Sequence, residues 1–115
     1  MISDPNLRTL AIVAGLVLTS SVAAAGSAEK GKAAYVRHGC WQCHGFDGQG
    51  SVAGSKIAPN PMPFEAFSDF VRTTGGAMPP YQKAILSDDD LADIYAYLQS
   101  VPRARDPKTI PLLNP

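Results

Sequence analysis

The apolar positions of this chain fall into four groups with different spacing. The first is unbroken: Leu10 to Leu18 carries no charge and follows Arg8. Thr19 to Ser21 give a more polar step, and Val22-Ala23-Ala24-Ala25-Gly26 supplies small residues. Charge, apolar run and small residues in that order predict a secretory signal peptide over residues 1–25, cleaved after Ala25, with Asp4 as an atypical feature. If retained, residues 10–28 are long enough to cross a bilayer core of about 30 Å and would anchor the chain to a membrane. The small and polar residues of 19–28 favour cleavage, and the cleaved chain is expected to have no membrane span.

The other three groups read as helices, the last two by their period. Ser27 is placed to cap a first helix running to about Arg37, with Ala28, Lys32 and Ala33 as good helix formers. Phe64, Phe67, Phe70 and Val71 recur at spacings of three and four and line one face of a second helix. Gly75 is placed to end that helix in a left-handed conformation. A third helix starts after Ser87, its N-cap, with Asp90 three residues on as a capping-box variant. Asp88, Asp89 and Asp90 sit at the positive end of its dipole, and Leu86 and Leu91 can staple the cap. The acidic triplet also suits a docking patch for a basic partner, but capping accounts for it. Leu91, Ile94, Tyr95, Leu98 and Val101 keep the helical spacing until Pro102 stops the run. The prolines of residues 103–115 exclude a long regular element. The organisation expected is one all-α domain over residues 26–102 and a Pro-rich tail over 103–115.

Composition narrows the function. The chain has 115 residues, enough for a single domain. Its formal net charge is zero, so it lacks the cationic excess that drives nucleic-acid binding. Ten glycines and ten prolines commit much of it to loops. A domain this small and this rich in loops buries a modest core, and a disulfide, a metal or a large cofactor is expected to support it.

The candidate chemistry lies in one string, His38-Gly39-Cys40-Trp41-Gln42-Cys43-His44, which holds both cysteines of the chain. Cys-x-x-Cys-His is the attachment signature of a c-type haem. Each thiol adds to one vinyl group of the porphyrin, and the following histidine lies under the iron as proximal ligand. Three other readings of these residues compete. A Cys40–Cys43 disulfide would close too small a loop to constrain the unfolded chain much. A thioredoxin-like pair wants a preceding strand, whereas residues 31–36 read as helix. A zinc site needs four separated ligands, and His38 and His44 crowd the same two cysteines.

The iron then takes a sixth ligand or stays open. His38 precedes the attachment turn by two residues and would have to cross the haem plane, so it is expected to be a partly exposed surface imidazole. Met62 and Met78 follow the attachment motif, and both can reach. Sequence context favours Met78. Gly75 and Gly76 allow close backbone approach to a flat ligand, and Pro79 and Pro80 stiffen the exit. Met62, within Pro61-Met62-Pro63, is expected to be a packing or turn residue.

With these motifs in order, the chain resembles the small monohaem class I cytochromes c over about residues 28–101. The resemblance rests on Cys40-Trp41-Gln42-Cys43-His44, then Gly76-Ala77-Met78-Pro79, then the helix ending Asp93-Ile94-Tyr95-Ala96-Tyr97-Leu98. It implies three main helices and loops wrapped around one covalent haem c. It implies axial ligation of the iron by His44 and Met78. It matches Gly31 and Tyr35 to the first helix and Ile94 and Tyr97 to the last, where the two cross, with Tyr97 supporting the haem pocket. It matches Pro59 to the family proline whose carbonyl accepts a hydrogen bond from the proximal histidine. Pro61 departs from the pattern, standing where the family carries an apolar Leu or Phe.

The function expected from this reading is one-electron transfer, not catalysis. Two axial side chains fill the iron, and a methionine in a dry pocket favours the ferrous state. The protein is expected in the periplasm, as a free carrier or as an electron-transfer subunit, with a dehydrogenase, reductase or terminal oxidase as redox partner. Its neutrality favours a dedicated partner over a charged docking field. The haem edge near Cys40, Trp41 and Cys43 is the expected exit for electrons. The alternative is a haem sensor or a peroxidase-like enzyme with a labile sixth position.

Overall fold

The computed structural model describes residues 26–114. The leader expected over residues 1–25 lies outside the described residues. Four α-helices follow in order: α1, Ala28–Arg37; α2, Trp41–His44; α3, Phe64–Thr73; and α4, Asp88–Ser100. Two 3-10 turns, Pro107–Thr109 and Pro111–Leu113, close the tail, and no strand occurs among the described residues. The three main helices match the all-α expectation, and the attachment motif adds the short α2. No helix among the described residues is long and apolar enough to cross a membrane.

Local sequence explains the helix ends. Ser27 Oγ accepts from the Lys30 backbone N–H at 3.3 Å and opens α1. Ser87 Oγ accepts from the Asp90 N–H at 3.0 Å and opens α4. Each satisfies one of the donors that a helix start leaves without a partner. The end of α3 differs from expectation. The helix stops at Thr74, in extended conformation with φ −53° and ψ 136°, and Gly75 adopts no left-handed cap. Thr74 still donates its N–H to the Phe70 carbonyl, so the last turn is closed before the chain swings out.

α1 and α4 cross and form the frame. Gly31 is the contact point: a Cβ built there would overlap the Asp93 carbonyl and reach 2.9 Å from the Tyr97 Cβ. Only a hydrogen at that position lets the two backbones meet. Around the crossing, Ala34, Tyr35, Leu91, Ile94, Tyr97 and Leu98 are buried, and Leu86 joins them from the approach to α4. α3 contributes Phe67 and Val71 to the same core, while Phe64 and Phe70 stay partly exposed. Phe64 and Phe67 pack their rings on Tyr95 of α4, at 5.1 and 5.3 Å. These edge and tilted contacts are the geometry aromatic pairs prefer. The sequence periodicity therefore describes one amphipathic helix whose apolar stripe is wider than the core it fills.

Candidate haem site

The frame leaves a cavity between α1, α3 and α4. It opens on solvent and holds about 680 Å³ of space not filled by atoms, the solvent at its mouth included. Its wall is mostly apolar: Ile57, Phe67, Phe70, Val71, Leu86 and Leu98 line it among others. Cys40, His44, Met62 and Met78 lie on the same wall. A second lobe, lined by Cys40, Cys43, His44, Phe70, Met78 and Tyr81, opens toward the surface. The side chains singled out as attachment points and axial ligands thus line two adjoining spaces that share Cys40, His44, Phe70, Met78 and Tyr81.

The attachment turn is short and sharply ended. α2 carries Trp41, Cys43 and His44, and Gly45 closes it with φ 79°, a left-handed value that side chains disfavour. Cys40 is half-buried and Cys43 exposed, and neither is in a disulfide. Burial pushes the Cys40 thiol up to about 11, so it stays protonated at neutral pH. A thioredoxin-like nucleophile needs the opposite shift. Among the described residues, no group of three or more His, Cys, Asp or Glu is placed to hold a metal ion. The zinc reading of the motif therefore finds no ligand set there.

His44 is oriented by a backbone carbonyl. Its Nδ1 lies 2.7 Å from the Ser55 carbonyl oxygen. A carbonyl only accepts, so Nδ1 carries a proton, and Nε2 is the nitrogen left to bind a metal. The partner differs from the expected Pro59. The loop after α2 folds back so that Gly48 accepts from both Ile57 and Ala58, and this places Ser55 beside His44. Pro59 faces another surface, a groove shared with Lys56, Asn60 and Arg103.

Tyr97 also acts elsewhere than on the cavity wall. Its hydroxyl donates to the Phe46 carbonyl at 2.8 Å, and its ring lies 5.5 Å from that of Tyr35. It braces the chain just after His44 from behind. His38 is less exposed than the sequence implies. Its side chain is 12% exposed, and its Nε2 lies 3.3 Å from Asp90 Oδ2, which Arg37 also contacts at 3.0 Å. It does not line the cavity. The Asp90 carboxylate therefore anchors the end of α1 and does not close the expected capping box; only its backbone N–H takes part in the cap, donating to Ser87 Oγ.

Sequence reasoning missed Ser55, Ile57 and Tyr81. Ser55 acts through its carbonyl, which no side-chain pattern reports. Tyr81 lines both lobes and donates its hydroxyl to the His38 carbonyl at 3.1 Å. Its place directly after Met78-Pro79-Pro80 was the available signal.

A family model described as cytochrome c oxidase, cbb3-type, subunit III matches residues 26–98. The chain belongs to this family. No curated protein matches the sequence. As a cytochrome c domain of the cbb3-type subunit III family, the chain carries one covalent haem c and serves electron transfer. The wall around the cavity fits that group: apolar side chains for the macrocycle, two thiols at the required spacing, and an imidazole whose Nδ1 is engaged by a backbone carbonyl, which leaves Nε2 for a metal.

Proposed function

We propose that this cytochrome is a one-electron carrier in which Cys40 and Cys43 would hold the haem and His44 and Met78 would bind its iron. The haem supplies a one-electron iron couple. The chain's own residues fix its surroundings. Ser55 orients His44 through Nδ1, a type of outer contact that tunes a metal site. Phe67, Val71, Leu86 and Leu98 exclude water, and a dry pocket with a thioether ligand favours the ferrous state.

The observation that carries the reading is the position of Met78. It is half-buried, packs against the core and lines both lobes beside Cys40 and His44. Met62 reaches only the inner lobe and is 47% exposed. The proposal places the protein outside the cytoplasm, where its partner is a terminal oxidase or another redox enzyme of the same chain. Electrons leave at the edge marked by the exposed Cys43. Beside it Trp41 stacks on Phe46 at 4.6 Å and 10°, and Phe46 is 58% exposed. This pair extends the apolar rim for a docking partner.

The test is the spectrum of the purified holoprotein. The oxidised form should show the weak near-infrared sulfur-to-iron band, and the reduced form should bind carbon monoxide slowly. A missing band with rapid carbon monoxide binding means an open iron, and the sensor or peroxidase-like reading replaces the carrier.

A further inference from the structure

We infer that Arg72 is a positioning residue for the iron's sixth ligand, acting as a clamp on the loop that carries Met78. The inference rests on the proposed ligation by Met78.

The loop leaves α3 at Thr74 and returns at Tyr81. Between those points no heavy atom of the described residues lies within 4 Å of the place a Cβ would take at Gly75 or Gly76. The loop is held where it comes back. Tyr81 donates its N–H to the Val71 carbonyl at 2.9 Å. The next residue, Arg72, takes the other side of the same peptide region: its Nη1 donates to the Tyr81 carbonyl at 2.8 Å. The same nitrogen donates to the Leu86 carbonyl at 2.7 Å, and Nη2 donates to Asp88 Oδ1 at 2.9 Å. One guanidinium thus joins the last turn of α3, the foot of the Met78 loop and the first turn of α4.

The geometry suits Arg and no other side chain. Two carbonyls and a carboxylate are met by a planar fork with fixed donor directions, which the single ammonium of lysine cannot reproduce. The side chain is only 14% exposed, and its Nε is buried without a hydrogen-bond partner. A buried donor without a partner is costly. The terminal contacts hold the group in place despite that cost. Met78 stands three residues before the clamped carbonyl, with Pro79 and Pro80 between them. Those prolines limit bending, so a shift at Tyr81 is passed to Met78.

The experiment compares holoprotein variants by cyanide binding to ferric iron and by the near-infrared band. Arg72→Leu should keep covalent haem, weaken the band and speed cyanide binding roughly tenfold, the scale of losing a charged hydrogen bond. Arg72→Lys should fall between Arg72→Leu and the wild type, and it keeps the test open if the leucine variant fails to fold. Ser27→Ala, a cap variant far from the loop, should lower unfolding stability and leave the cyanide rate unchanged. Met78→Ala, run in parallel, should lose the band entirely. If Met78→Ala loses the band while both Arg72 variants bind cyanide at the wild-type rate, the clamp is overturned and the ligation stands. If Ser27→Ala speeds cyanide binding as much as Arg72→Leu does, general destabilisation replaces the clamp. If Met78→Ala keeps the band, the ligation falls and the clamp with it.

Discussion

Tyr35 on α1 and Tyr97 on α4 pack their rings 5.5 Å apart and donate their hydroxyls to consecutive carbonyls, those of Gly45 and Phe46. The two bonds measure 2.7 and 2.8 Å. The crossing of the first and last helices is thereby tied to the chain that leaves His44. The turn that carries Cys40, Cys43 and His44 is thus braced by the frame of the fold as well as by its own four helical residues.

This relationship gives the first prediction. Tyr35→Phe and Tyr97→Phe should each cost about 1 kcal/mol in denaturant unfolding, since each removes a hydrogen bond to a backbone carbonyl. The double variant should depart from additivity because the two hydroxyls hold consecutive carbonyls of one short segment. Strict additivity would mean that the two braces act independently.

The contact at Gly31 gives a prediction of sign. In an exposed helix, Gly→Ala gains up to about 1 kcal/mol from propensity. At Gly31 the added methyl meets the Asp93 carbonyl, so Gly31→Ala should destabilise by about 1–3 kcal/mol or more. Thermal unfolding decides it, and an increase in Tm would contradict the close crossing.

Asp88 gives a pH dependence. Hydrogen bonds from Lys83 first and Arg72 second hold its carboxyl below the usual carboxylate value. A depressed folded value contributes stability above the unfolded pKa of about 4, and that contribution is lost as pH falls through the lowered value. The difference in Tm between wild type and Asp88→Asn should therefore be present at about pH 6 and close under acid. A difference independent of pH would show that the carboxylate charge is not what matters.

How much of this was legible in the sequence depends on which atoms do the work. The capping serines and the apolar stripe of α4 follow from side-chain identity and spacing, and they stand where the pattern put them; the Gly31 contact stands where the family resemblance put it. The partner of His44 does not. Ser55 and Pro59 are both loop residues, and which carbonyl comes within reach is set by how Gly48 gathers Ile57 and Ala58. The end of α3 was misread for a related reason: the chain leaves at Thr74 in extended form to reach Tyr81, and this tertiary path overrides the preference of Gly75. His38 looked like a surface imidazole because Asp90, its neighbour in space, is remote along the chain.

The attachment itself is tested by denaturation. Haem should remain with the chain on denaturing electrophoresis and resist acid-acetone extraction, because two thioethers hold it. Cys40→Ala and Cys43→Ala should each leave a weakly held haem and a less stable chain. Complete extraction from the wild type would remove the covalent assignment.

The most direct measurement of the central claim is the near-infrared spectrum of two oxidised variants, Met78→Ala and Met62→Ala. Both methionines line the inner cavity, and only Met78 also lines the outer lobe with Cys40, Cys43 and His44. Met78→Ala should lose the sulfur-to-iron band, fall in potential and admit cyanide and carbon monoxide to the iron, while Met62→Ala keeps the wild-type spectrum. A band that survives in Met78→Ala and vanishes in Met62→Ala would contradict the account.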